Sequence, residues 1–360
     1  MLKGLSMFAN VGIAETYFHE EGIDIVVANE LLPDRAKFYE HLHPNTKMIC
    51  GDITDKAIFD KVLNESLKEK VDFIMATPPC QGMSLNGKKD PNDKRNYLII
   101  YAVEMIKEIK PKYVLLEIVP QLLKTNLVIN KKKKLIPEYI HNELDKDYNI
   151  KFKVLNTMNF GVPQSRSRCF TIMVRKDVKN DWDFPAPEDK IITLREAIGD
   201  LPSVEPLIRE DGNTAKIDFS NYHYPPVHSR KHVEMMKHTP TGKSAFENEY
   251  YYPKKDNGER IKGGAYAYMR MSWDKPAPTI TQNNGVISSF TNVHPGRLLK
   301  DGTYSDPRVL TIKELLIVTS LPLDWSIPSW ASEQLVRKVI GEAIPPLITK
   351  KIVANIGVEK

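Results

Sequence analysis

The stretch DFIMATPPCQGMS, Asp72 to Ser84, decides the fold. Phe73 to Ala76 is apolar at every position, so both faces of the segment must be covered, as in a strand of a parallel sheet sandwiched between helices. The run ends on Pro78 and Pro79, which cannot donate to a strand ladder and so turn the chain out of the sheet. The next residue, Cys80, is one of only three cysteines in 360 residues. A cysteine serving packing alone would sit inside the run. This one sits just past the strand end, where open α/β sheets place their ligands.

Outward from this strand the same alternation repeats. Leu2–Ala9 reads as a buried strand followed by a helix through GIAETYFHEEG, and Ile23–Glu30 as a second strand with a proline-initiated helix after it. TKMICGD is a third strand, and Ile58, Val62, Leu63 and Leu67 mark the helix that follows. After the Asp72 strand come the helix NYLIIYAVEMIKEIK and a fifth strand, PKYVLLEIV. YNIKFKVLNT and RCFTIMVRK read as a closing antiparallel pair. Apolar strands alternating with helices imply a mostly parallel, doubly wound sheet. Its carboxyl rim then carries the loop after Phe8, Glu30, Asp52, the PPCQ loop and Glu117. Beyond Lys176 the texture changes to proline, tyrosine, glycine and charge, and helical spacing returns near Arg308.

Composition narrows the function classes. No apolar run approaches the ~20 residues that cross a bilayer, and the amino-terminal segment lacks a signal-peptide core. Cys50, Cys80 and Cys169 are too widely spaced for a disulfide framework or a zinc site, so no metal is expected, and a reducing, cytoplasmic setting is. The net charge of +5 suits a polyanionic partner without requiring one. The densest basic run, Lys131 to Lys134, reads as a solvated surface.

The glycine signals exclude a dinucleotide site, because FANVGIAE holds only Gly12 where such a loop carries three glycines. PTGKS, Pro240 to Ser244, fails as a phosphate loop because Lys237 occupies the place of its first glycine. Glu30 is placed to accept hydrogen bonds from the two hydroxyls of a ribose, and Asp52 to meet the amine of an adenine. An adenosine-type cofactor follows.

PPCQGMS, LLEIVP, NFGVPQSRSRCF, MSWDKPAPTIT, RVLTIKELL and GEAIPPL occur in the order found in DNA (cytosine-5) methyltransferases, and across essentially its whole length the chain resembles the bacterial restriction-modification members of that family. The resemblance implies a Rossmann-like S-adenosylmethionine-dependent methyltransferase fold with a smaller, irregular or β-rich target-recognition domain. The expected division is 1–175 for catalysis and cofactor, 176–302 for target recognition, and 303–360 for a helical return to the catalytic domain. It implies S-adenosyl-L-methionine as cofactor, held by Phe8, Asn10, Val11, Gly12, Glu30, Leu31, Asp52, Ile53, Pro79 and Glu342.

It further implies that Cys80 adds to carbon 6 of a cytosine flipped out of duplex DNA, making carbon 5 nucleophilic toward the methyl group. Glu117 would stabilise charge at ring N3, Arg166 would contact the base and orient Glu117, and Arg168 would support the site. DNA contacts are expected from Gln81, Ser84, Lys88, Lys89 and Arg95 in the loop after Cys80. Further contacts are expected from Gln164 and Thr279, and from the aromatic and basic stretch bearing Lys254, Lys255, Arg260, Lys262 and Arg270. The partners implied are double-stranded DNA and a separately acting restriction endonuclease, with the enzyme a monomer. The chain departs from the family pattern at Asn10, Ile13, Ile118 and Glu342. Two other readings stay open on the residues: a methylase-like DNA-binding protein without turnover, and an RNA cytosine methyltransferase.

Overall fold

The computed structural model describes residues 1–79, 94–129, 132–255, 257–264, 266–288 and 290–358. The chain divides into two compact units, one formed by 1–156, 167–187 and 346–360, the other by 157–166 and 188–345.

The first unit is built on a seven-stranded sheet. Its strands are β1 (Leu2–Met7), β2 (Ile23–Glu30), β3 (Lys47–Cys50), β4 (Phe73–Ala76), β5 (Tyr113–Ile118), β6 (Tyr148–Asn156) and β7 (Ser167–Arg175). They lie in the order β3-β2-β1-β4-β5-β7-β6. The first five run parallel, and β7 enters antiparallel between β5 and β6. The expected parallel sheet with a closing antiparallel pair is what forms. β4 and β5 are buried along their whole length, and each buried Leu, Ile or Val there contributes about 2 kcal/mol of apolar transfer free energy.

Helices α1 (Pro33–Leu42), α2 (Lys56–Glu69), α3 (Leu98–Ile109) and α4 (Ile136–Leu144) connect the strands. α1 opens on Pro33, whose missing N–H costs nothing at a first helical position. In α2 the Asp55 side chain accepts the Ala57 amide at 2.8 Å, and Lys70 closes the helix in the left-handed region at φ +58°. α3 buries Ile99, Ala102, Val103 and Ile106, one helical face, against the sheet. The helix expected over Gly12–Gly22 does not form: the segment is a series of turns ending in one 3-10 turn, His19–Glu21. Left-handed Gly12 starts that segment and Gly22, also left-handed, stops it, leaving no continuous helical run. A β-hairpin of Asn126–Ile129 and Lys132–Leu135 precedes α4.

The second unit contains α5 (Leu194–Ile198), α6 (Arg230–Lys237), α7 (Ile312–Val318) and α8 (Glu333–Glu342), with two short strand pairs. At its centre is a buried ionic cluster. The Arg308 guanidinium meets Asp306 at 2.8 Å and Glu314 at 2.7 Å, all three being essentially inaccessible to solvent. The observed divisions differ from those expected at Lys176 and Gly302. The segment up to Pro187 stays with the sheet because Trp182 is buried there, donating to the Ile352 carbonyl at 2.8 Å and meeting Tyr113 edge to face. At the other end only α9 (Pro346–Ala354) and the residues after it return to the first unit. Residues 303–345 remain in the second.

Candidate active site

The carboxyl rim of the sheet holds three groups of residues in the first unit. The first is the loop after β1. Phe8, Asn10 and Gly12 have φ of +59°, +50° and +79°, a run of left-handed residues that turns the backbone back across the strand end. Asn10 adopts this conformation where the family pattern has glycine, and a short polar side chain tolerates it better than most. The Asn10 amide donates to Glu30 Oε2 at 2.8 Å, and the Leu32 amide to Glu30 Oε1 at 3.0 Å. Glu30 is buried, and burial raises its pKa from the ordinary value. A carboxylate offers about four acceptor positions, so each Glu30 oxygen retains capacity for a ribose hydroxyl beside its backbone donor. That donor set and the curled backbone fit an adenosine cofactor. Asp52, exposed after β3, caps its own turn through the Thr54 amide at 2.9 Å, while Ile53 is buried and Leu31 exposed. Val11 and Gly12 are buried, and Pro79 is partly so.

Beneath that loop lies a polar network that the sequence did not reveal. Glu15 is buried and accepts the Tyr39 hydroxyl at 2.7 Å and the Ser6 hydroxyl at 3.1 Å. Burial without a basic neighbour raises its carboxyl to about 7, the two hydroxyls opposing only in part. His43 lies against Tyr39 with ring centroids 4.5 Å apart and the rings tilted by 35°, and is hydrogen-bonded to the backbone of Gly12 and Val11. Burial lowers the His43 pKa to about 4, so it is neutral at physiological pH. No spacing rule links Ser6, Glu15, Tyr39 and His43. They meet only because β1, its loop and α1 fold onto one another.

The third group is Glu117 and Arg168. Glu117, on β5, pairs across the ladder with Phe170 of β7. Arg168 stands two residues from Phe170, on the same face and diagonal to Glu117. Its Nε lies 2.8 Å from Glu117 Oε1, with side-chain exposures of 17% and 9%. The ion pair with Glu117 is therefore made by Arg168, the residue expected only to support the site. Cys169 between them points to the opposite face and is buried, its thiol pushed up to about 12 by burial first and by Glu117 second. It is no nucleophile.

In the second unit the segment Pro163–Arg166 pairs with Ala277–Ile280. Ser165 donates to the Ala277 carbonyl at 2.7 Å, and Thr279 Oγ1 donates to the Ser165 carbonyl at 2.8 Å. Arg166 is buried, giving Nη1 to the Ile280 carbonyl at 2.8 Å and Nη2 to the Glu342 carbonyl at 2.9 Å. Glu342 thus contributes its backbone to the placement of Arg166. α8 approaches this segment so closely at Gly341 that a Cβ would lie 2.1 Å from the Thr281 carbonyl oxygen.

Two expected DNA contacts are corrected. Gln164 is 1% exposed, its amide donating to the Val318 carbonyl at 3.2 Å and accepting from the Ile280 amide at 3.3 Å. Arg270 is fully buried and donates to the carbonyls of Met236, His294 and Asp306. Both are drawn inward because orphaned backbone carbonyls there need donors. Arg260 donates to the Phe246 carbonyl and lies 4.7 Å over the Tyr252 ring, Lys255 pairs with Glu259 at 2.8 Å, and Lys254 and Lys262 are exposed. Arg95 is exposed just before α3. Cys80, Gln81, Ser84, Lys88 and Lys89 lie outside the described residues. Among the described residues no cluster of metal-ligating side chains occurs and no helix is long and apolar enough to cross a membrane.

The model of the C-5 cytosine-specific DNA methylase family matches residues 2–358. The Type II methyltransferase M1.HgaI of Avibacterium volantium is 47% identical over 360 residues, covering 99% of this chain and 98% of that protein. M.DdeI of Desulfomicrobium norvegicum is 27% identical, covering 98% and 88%. Among solved structures, a DNA modification methyltransferase encoded within an E. coli prophage aligns with a TM-score of 0.71 at 18% identity over 99% of both chains. A Spodoptera frugiperda DNMT2 mutant aligns at 0.62 and 17% over 99% of this chain and 100% of that one. At under 25% identity these two likenesses bear on the fold alone. With the family model spanning nearly every residue, the chain belongs to the C-5 cytosine-specific DNA methylases and is a DNA (cytosine-5) methyltransferase.

Proposed function

We propose that this enzyme methylates carbon 5 of a cytosine flipped out of duplex DNA, using S-adenosylmethionine and a covalent adduct through Cys80, as the modification enzyme of a restriction-modification system. The observation that carries the reading is the buried Glu117–Arg168 pair at the end of β5, on the rim that also holds Glu30 and Asp52. S-adenosylmethionine supplies an electrophilic methyl group on a sulfonium. Phe8 to Gly12, Glu30, Leu31, Asp52, Ile53 and Pro79 are assigned to its adenosine, with Glu342 acting through its backbone on Arg166.

The chain's own residues do the rest. The Cys80 thiolate adds to carbon 6, and the displaced electron pair moves toward ring N3. Glu117 faces that developing charge: Arg168 holds Oε1, and Oε2 is assigned to share a proton with N3. Carbon 5 then carries the electron pair that would bond to the methyl group as the methyl–sulfonium bond breaks, the sulfur leaving as a neutral thioether. Loss of the carbon 5 proton to a base and departure of the Cys80 sulfur restore the aromatic ring, so atoms and charge balance. Gln81, Ser84, Lys88, Lys89, Arg95 and Thr279 are assigned to the DNA near the flipped base, and Lys254, Lys255, Arg260 and Lys262 to the recognition surface. The name and 47% identity of M1.HgaI support the restriction-modification setting; a separately acting endonuclease and a monomeric methylase are part of the proposal.

The test is transfer of labelled methyl from S-adenosylmethionine to unmethylated genomic DNA, with the modified base identified by nuclease digestion. Label in 5-methylcytosine is expected. Label in a base amine, or in RNA but not DNA, would overturn the reading.

A further inference from the structure

The hairpin after β5 carries a concentration of positive charge that the site chemistry does not use. Leu127 anchors it, fully buried, while its cross-strand neighbours place Val128 opposite Lys133 and Leu127 opposite Lys134. Lys132 and Lys133 are exposed, as is Lys124 at the end of the preceding 3-10 turn. The hairpin's place is fixed twice. It begins at Asn126, shortly after β5 ends at Ile118, and the Val128 amide donates to the Tyr97 hydroxyl at 3.3 Å, at the start of α3. Its base is closed by the Ile136 amide on the Thr125 carbonyl at 3.1 Å. Both anchors lie at the carboxyl rim, the side of the sheet on which Glu117 stands.

Several surface lysines elsewhere on this unit are paired with carboxylates. Lys3, Lys56, Lys107, Lys112 and Lys151 each lie within 3.3 Å of a carboxylate. Lys132, Lys133 and Lys134 make no ion pair among the described residues. Like charges concentrated on a two-stranded ribbon repel, and a short hairpin is marginal to begin with. Among the described residues no carboxylate pairs with these lysines to offset that repulsion, whereas a row of phosphates would.

We propose that this hairpin, through Lys132, Lys133 and Lys134, grips the phosphate backbone of the DNA beside the catalytic rim without reading its sequence. The proposal rests on duplex DNA being the substrate. Phosphate contacts fix position and orientation and carry no sequence information, so the hairpin sets affinity and docking while the second unit sets site choice.

The experiment compares wild type with a variant carrying Lys132→Ala, Lys133→Ala and Lys134→Ala, and with the corresponding triple Lys→Arg variant. Binding to genomic DNA and to a short mixed-sequence duplex is measured across a salt series. Each lost phosphate contact reduces the slope of log K against log salt by about 0.9. The alanine variant is expected to lose about 2 to 3 in slope and to weaken on both DNAs alike, with the arginine variant restored and kcat at saturating DNA unchanged. An alanine variant that melts like wild type and keeps the wild-type slope would overturn the proposal. So would weakening confined to the methylated target sequence. Absence of DNA binding by wild type itself would instead sink the functional reading on which the proposal rests.

Discussion

At the scale of single residues the decisive object is the Glu117–Arg168 pair. Two charges this deeply placed compensate each other, and removing one partner of a buried pair costs about 3 to 5 kcal/mol. Arg168→Ala is therefore expected to lower both thermal stability and methyl transfer. Glu117→Gln keeps the shape but cannot share a proton with ring N3. Its expected phenotype is a loss of kcat on the order of 10² to 10³ with DNA affinity near wild type and a lowered melting temperature, because Arg168 loses its counter-charge. A Gln variant with wild-type kcat would remove Glu117 from the chemistry. The same scale shows where charge misleads. Arg270 sits in a stretch of basic and aromatic residues that reads as DNA-facing, yet its guanidinium serves three backbone carbonyls inside the second unit. Nothing local in MSWDK or YMRM announces those carbonyls, because they come from residues 24 to 36 positions away.

At the scale of elements, the strands were legible and the β1 loop was not. Strands buried on both faces leave an uninterrupted apolar signature, so β4 and β5 could be placed from composition alone. The loop is shaped instead by left-handed residues and by His43 and Glu15, whose partners come from other elements. The basic hairpin was missed for a related reason: four consecutive lysines have no periodicity, and only the buried Leu127 and the Tyr97 contact reveal an ordered ribbon. Gly12→Ala tests the loop directly. It would force an L residue to φ +79° and drive a Cβ to 2.1 Å from His43 Nε2. The expected result is about 2 to 4 kcal/mol of destabilisation with weakened S-adenosylmethionine binding, read by calorimetry; unchanged affinity would show the loop is not the cofactor cradle.

Glu15 gives the loop a pH dependence. Its folded-state carboxyl is raised from 4.5 to about 7, so the folded protein binds the proton more tightly than the unfolded chain does. That contribution is fully present below pH ~4.5 and is lost as pH rises through ~7, worth on the order of 3 kcal/mol. Glu15→Gln should flatten this part of the profile, gaining stability relative to wild type at pH 8 but not at pH 4. Parallel denaturation profiles for the two proteins would show that the carboxyl does not titrate as described.

At the scale of the whole molecule, each unit has its own organising device: an apolar parallel sheet in the first, a buried ionic cluster in the second. The Arg308 guanidinium outweighs the cost of burial and holds the Glu314 carboxyl down to about 2. Arg308→Ala would strand two carboxylates and is expected to destabilise the second unit by about 3 to 5 kcal/mol, visible as loss of hydrogen-exchange protection around Ile312–Val318. Retained protection there would deny the cluster its organising role. The chemistry assigned to the molecule turns on one bond, between Cys80 and carbon 6 of cytosine. DNA in which 5-fluorocytosine replaces cytosine interrupts the reaction after methyl transfer, because fluorine cannot leave as a proton does. Incubated with this DNA and S-adenosylmethionine, the wild-type enzyme should remain covalently attached through denaturing electrophoresis, and Cys80→Ser should not. Wild-type enzyme that binds this DNA yet forms no denaturant-resistant complex would contradict the account at its centre.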